Sequence, residues 1–240
     1  MKKIILSICS TFLITASSFA HYLWIETNPN GIINQEQEIR VYYGEYTYGV
    51  IEEITGEAFP KVSDFTLFLV DPSGKKIQLK TSTESTYYKA NFIPSINGTY
   101  TVLLNNDKID VIDFTQYDFG IFKTHYHSVA KIQVGDNQSE TASLNKNGIT
   151  VKDISENTNE IKLLVLFKNE VLPKNEVKIY VSDLWSKTLE TNENGIISFK
   201  LPWNTKYIIE TTHKEEVPGI YKNENYQFIW HCVTYTIPTN

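Results

Sequence analysis

The chain has 240 residues, 41% of them hydrophobic, with 22 basic against 28 acidic side chains and a formal net charge of -6. An acidic chain of this kind lacks the clustered positive charge that phosphate backbones demand, which excludes nucleic acid as a ligand. With 15 Tyr and 12 Phe it is too aromatic to be disordered, and its length suits one or two domains.

Residues 1–20 read as a secretory signal peptide. Lys2 and Lys3 form a positive start, Ile4 to Ile14 a short apolar run, and Ser18-Phe19-Ala20 a small-x-small cleavage site. The run is too short to span a bilayer comfortably, and no second stretch of about eighteen apolar residues follows. The mature protein is therefore expected in the periplasm, without a transmembrane segment. Of the two cysteines, Cys9 leaves with the signal and Cys232 remains alone, so no disulfide is expected within the mature chain. The bulky Leu6-Ser7-Ile8 before Cys9 argues against a lipid attachment site.

Strand signals follow: Arg40 to Tyr43, Phe65 to Val70, Lys76 to Leu79, Tyr100 to Leu104, Ile161 to Phe167, Val177 to Val181, Ile196 to Leu201 and Tyr207 to Thr211. Turn chemistry separates them, as in Asp71-Pro72-Ser73-Gly74, Asn97-Gly98 and Asn194-Gly195. Only Val50 to Glu57 looks capable of a helical turn or an ordered loop. The fold class expected is all-β, with two antiparallel β-sandwich domains of immunoglobulin-like or transthyretin-like type in tandem. The polar stretch from Gly135 to Thr141 breaks the strand pattern, giving domains at 21–140 and 148–240 after the signal at 1–20.

Common catalytic signatures are missing: there is no His-Glu-x-x-His, Gly-x-Ser-x-Gly, Cys-x-x-Cys or Gly-x-Gly-x-x-Gly. The expectation is a protein that is not an enzyme. His21 is the informative residue. Cleavage after Ala20 would make it the mature N-terminus, where its α-amino group and imidazole Nδ1 can close a chelate ring on one metal ion. Both groups titrate low enough for a divalent metal to displace their protons near neutral pH.

His125 and His127, two apart, project from one face of a strand while Tyr126 points to the other. They are metal candidates, and a solvated edge strand is the alternative. His231, in Trp230-His231-Cys232, lies on the face opposite its neighbours and is a further candidate. Cys232 reads as a small buried apolar residue, and His213 as an exposed residue after a strand. Glu45, directly after Gly44, can complete a site as a carboxylate ligand. Glu52, Glu53 and Glu57 read as a solvated charged face.

The opening His21-Tyr22-Leu23-Trp24-Ile25-Glu26 after a signal peptide, then Tyr43-Gly44-Glu45, Asp71-Pro72-Ser73-Gly74-Lys75 and Pro218-Gly219, resembles a periplasmic family of otherwise uncharacterised function. Its members are associated with nickel or cobalt uptake transporters. The resemblance spans nearly the whole mature chain, and the His-x-x-Trp-Ile-Glu opening is its distinctive part. It implies a metal-binding accessory that delivers nickel or cobalt to a membrane transporter, with His21 the residue carried over most directly. Family members frequently have Gly-His where Gly44-Glu45 stands; the Glu45 carboxylate is a harder ligand than imidazole, a departure that weakens the nickel assignment, and copper or zinc stay beside nickel and cobalt as candidate ions.

Two functions therefore stand side by side. One is transition-metal binding through His21, helped by Glu45, His125, His127 or His231. The other is a sandwich module without metal, binding a protein or glycan through Trp203, Tyr221 and Tyr226. Oxidative polysaccharide cleavage by copper at His21 shares the first logic but finds no aromatic platform to support it.

Overall fold

A computed structural model describes residues 21–136, 145–156 and 160–237. The predicted signal peptide, with Cys9, and the middle of the predicted linker lie outside the described residues. Among the described residues there is no α-helix, only three short 3-10 turns between strands, and no helix is long and apolar enough to cross a membrane. The all-β expectation holds.

Numbering only strands of four residues or more, the first sheet contains β1 (Tyr22–Thr27), β2 (Gln37–Glu45) and β4 (Tyr88–Phe92), in the order β1-β2-β4. A large sheet contains β3 (Thr66–Val70), β5 (Gly98–Asn106), β6 (Gly120–Val134), β9 (Glu176–Tyr180), β10 (Ser186–Glu190), β12 (Tyr207–Glu215) and β13 (Phe228–Ile237). Its order is β10-β9-β12-β13-β6-β5-β3. The third sheet has β8 (Ile161–Phe167) between β7 (Ile149–Asp153) and β11 (Ile196–Phe199).

Two hydrophobic cores follow from alternation along these strands. Leu23, Ile25, Ile39, Val41, Leu67, Val102 and Ile132 fill the first, between the first sheet and the β3-β5-β6 end of the large one. Val165, Val177, Ile209, Val233 and Tyr235 are among those filling the second, between the third sheet and the β9-β12-β13 end. The two halves are not strung side by side, however. β6 runs parallel to β13 from Phe122↔Phe228 to Ala130↔Thr236, then antiparallel to β5 from Lys131↔Thr101 to Val134↔Gly98. One fifteen-residue strand thus belongs to both halves. The sequence led to purely antiparallel pairing because partners about a hundred residues apart leave no local signal.

The N-terminal strand is anchored on both faces. Leu23 and Ile25 enter the first core, and burying each is worth about 1.5–3 kcal/mol. Tyr22 and Trp24 pack with Tyr42, Ile208 and Cys232 against β12 and β13. The hydroxyls of Thr234 and Thr236 donate to the carbonyls of Leu23 and Ile25, at 2.7 and 2.6 Å. These bonds fix the place of residue 21.

Candidate functional site

His21 stands at the start of β1, beside the end of β2. The register Tyr22↔Gly44 brings Glu45 next to it. Gly44 is the pivot. Its φ of +146° lets the chain double back, so that Glu45 pairs with Val50, and a Cβ at Gly44 would fall 2.2 Å from the Val50 carbonyl oxygen. Doubling back also returns Glu52, whose backbone N–H donates to the Tyr43 carbonyl at 2.9 Å. The segment Val50 to Glu57 is therefore an ordered loop that begins with a strand pairing, while the helical turn comes later, at Phe59–Val62.

Both nitrogens of His21 face carboxylates. Nε2 is 2.7 Å from Glu52 Oε1, and Nδ1 is 3.5 Å from Glu45 Oε1. In the neutral imidazole, a carboxylate accepting the Nε2–H selects the tautomer whose lone pair lies on Nδ1. That lone pair then confronts Glu45 Oε1, an oxygen that is buried and has no hydrogen-bond donor. Glu45 is only 5% exposed, just beneath the surface. Burial pushes its carboxyl above the ordinary carboxylate range, opposed by the neighbouring His21 imidazole. Two acceptors facing one another invite a cation between them. The 3.5 Å gap falls within the roughly 3.3–3.6 Å that ligands about 2.0–2.2 Å from a tetrahedral ion span. Tyr126 donates to the His21 carbonyl at 2.8 Å, and the Tyr43 ring lies 5.3 Å from the imidazole. Burial drives the Tyr43 hydroxyl to about 12, so it stays a neutral wall of the site.

The other sequence candidates are elsewhere. His125, His127 and His231 lie on the opposite face of the large sheet from Tyr126, which touches His21, so the sheet itself separates them from that residue. The expectation that they help His21 hold one ion is corrected on that ground. Two strands between sites do not reveal which faces they share. His125 and His231 are register partners whose rings meet at 5.1 Å, nearly perpendicular. His213 is the next partner along the row and packs its ring 4.3 Å from that of Phe167, half-buried rather than exposed. His231 Nε2 lies 2.9 Å from Glu215 Oε2, and Lys168 binds the same carboxylate. Burial pushes Glu215 up, but Lys168 and His231 outweigh it and hold the carboxyl below the usual range.

Glu52 and Glu215 were not distinguished by sequence. Glu52 reads as loop charge until Gly44 turns the chain. Glu215 carried a usable signal, since it is two residues beyond His213 and so shares its face. Glu53 and Glu57 are exposed as expected, and Cys232 is buried, 3.8 Å from Glu210 Oε1. Trp203 is half exposed and meets Trp185 edge-on at 4.9 Å, whereas Tyr221 lies under the Lys123 ammonium. Among the described residues, no three His, Cys, Asp or Glu side chains are already gathered around one point in ligand geometry.

The chain belongs to the family described as "Domain of unknown function (DUF4198)", whose model matches residues 18–215. No curated protein matches it. Among solved structures it is similar to one described as giving structural insight into host cell surface retention of a 1.5-MDa bacterial ice-binding adhesin. That pair has 7% identity and a TM-score of 0.26, over 92% of this chain and 64% of that one. A two fibronectin type-III domain segment from chicken tenascin matches at 14% identity and a TM-score of 0.23, over 90% of this chain and 97% of the other. The chain thus spans just under two thirds of the first of these.

Proposed function

We propose that this chain is an exported transition-metal-binding protein whose ion is held at His21. Cleavage after Ala20 would free the α-amino group of His21; that amine, His21 Nδ1 and Glu45 would be the ligands. Glu52 orients the imidazole through Nε2, as a carboxylate behind a ligating histidine does. The observation that carries the reading is the buried, donorless Glu45 Oε1 lying 3.5 Å from His21 Nδ1. Two nitrogens and one oxygen suit nickel, cobalt, copper or zinc. The resemblance of the opening motif to transporter-associated periplasmic proteins favours nickel or cobalt, with delivery to an uptake transporter as the role.

Nickel(II) calorimetry on the mature protein is the test. A nickel-binding event that depends on residue 21 is expected, weakened at least a hundredfold by His21→Ala and about tenfold by Glu52→Gln. Equal affinity of the parent and His21→Ala proteins contradicts the assignment. In that case the half-exposed Trp203 with Trp185 favours the second reading, a module that binds a protein or glycan.

A further inference from the structure

On the face of the large sheet turned away from His21, alternation along β6 sets His125 beside His127, and the parallel register sets His231 of β13 beside His125. Two of these rings aim at one place. Asn145 Nδ2, His127 Nε2 and His231 Nδ1 lie 2.7, 3.0 and 3.1 Å from the point where a Cβ on Gly148 would stand, so both imidazoles approach the same side of Gly148. The φ of Gly148 is outside the left-handed region, so the need for glycine there is spatial: a methyl group would press on both nitrogens.

His231 Nδ1 is fully buried and has no hydrogen-bond partner. Leaving a polar atom in that state costs about 1–3 kcal/mol. The other nitrogen, Nε2, is committed to Glu215, which Lys168 holds in place. The Nε2–H therefore points to the carboxylate, and the Nδ1 lone pair is left open beside Gly148. Carboxylate, imidazole and open lone pair in that order are how proteins prepare a histidine to bind a metal.

The geometry points to a second metal site, formed by His127 Nε2 and His231 Nδ1 with His125 as the adjoining third imidazole, selective for a late first-row ion of the zinc(II) type. Donors that are all imidazole, without a carboxylate ligand, suit such ions and not magnesium or calcium. An ion held by both nitrogens would stand between the two rings in front of Gly148, and side-chain rotations of the rings and of Asn145 would bring the nitrogens to about 2.0–2.1 Å from it. A groove of about 620 Å³, between the outer face of β5 and β6 and strand β7, reaches His125 and His127 and gives an ion a way in. The site stands independently of the His21 reading, because the sheet lies between the two.

The test uses mature protein carrying His21→Ala, which removes the imidazole of the first site. Zinc(II) calorimetry at pH 7.5 is expected to show one ion per chain, and zinc X-ray absorption a shell of two or three imidazole nitrogens. His127→Ala and His231→Ala should each weaken binding at least a hundredfold, and Glu215→Gln about ten- to a hundredfold. Gly148→Ala should abolish binding with every histidine intact, while circular dichroism shows the fold retained. The inference is overturned if the His21→Ala protein binds no zinc, if its zinc is surrounded by oxygen alone, or if Gly148→Ala and His231→Ala leave affinity unchanged.

Discussion

Gly44→Ala should damage the protein out of proportion to the one methyl group it adds. At φ +146° an alanine is strained in itself, by about 1–3 kcal/mol. Its Cβ would also stand 2.2 Å from the Val50 carbonyl oxygen and 3.2 Å from the Ile51 Cα, backbone atoms that cannot rotate aside. Relief requires the pairing of Glu45 with Val50 to open. Each ladder hydrogen bond lost there removes about 0.5–1.5 kcal/mol. The total destabilisation expected is about 2–5 kcal/mol, which for a chain of this size lowers Tm by roughly 4–20 °C. Because the same turn carries Glu52 back to His21, metal affinity should fall too, although no ligand has been changed. Urea unfolding with calorimetric titration on the same samples measures both effects. A loss of stability under about 0.5 kcal/mol together with unaltered nickel affinity would refute the role given to this turn.

Three further outcomes follow from buried polar groups. Glu45→Gln should weaken nickel binding yet leave the metal-free protein at pH 7 as stable as the parent or more so, by thermal melting. The folded-state pKa of Glu45 lies above its ordinary 4.5, so its contribution is fully present below that pH and is lost as pH rises above it; the variant should lack this slope. His127 runs the other way. Its pKa falls from 6.5 to about 3 on folding, so stability is complete above pH 6.5 and declines as pH drops, by about 1.4 kcal/mol per pH unit once the unfolded imidazole is protonated. His127→Gln should flatten that decline in urea titrations between pH 6.5 and 4. Thr234→Val removes the hydroxyl that donates to Leu23 O, at 2.7 Å, and contacts Ser128 Oγ at the same distance. It should cost about 1–3 kcal/mol and speed amide exchange in β1.

The strands were legible wherever local alternation is strong. Ile161 to Phe167 is read from sequence with the bounds it has in the structure. β1 escaped that reading because Tyr22, Leu23, Trp24 and Ile25 are all buried, on both faces, and so show no alternation. β6 was seen only around its histidines, since its fifteen residues serve two different surroundings in turn. The same limit governs the sites. Parity along one strand correctly placed His125 and His127 on a common face, and adjacency of Gly44 and Glu45 marked one ligand candidate for His21. Parity says nothing about which face a separate strand approaches, and β1 came to the side away from the other imidazoles. Glu52 and Gly148 act through the return path of the backbone. No residue pattern of fixed spacing encodes that path.

The most direct measurement compares nickel(II) affinity of protein beginning at His21 with protein carrying one additional alanine before it. The extension acylates the amine but leaves His21, Glu45 and Glu52 in place, so the account predicts affinity at least a hundredfold weaker in the extended form with melting behaviour unchanged. Equal affinity in the two forms would contradict it.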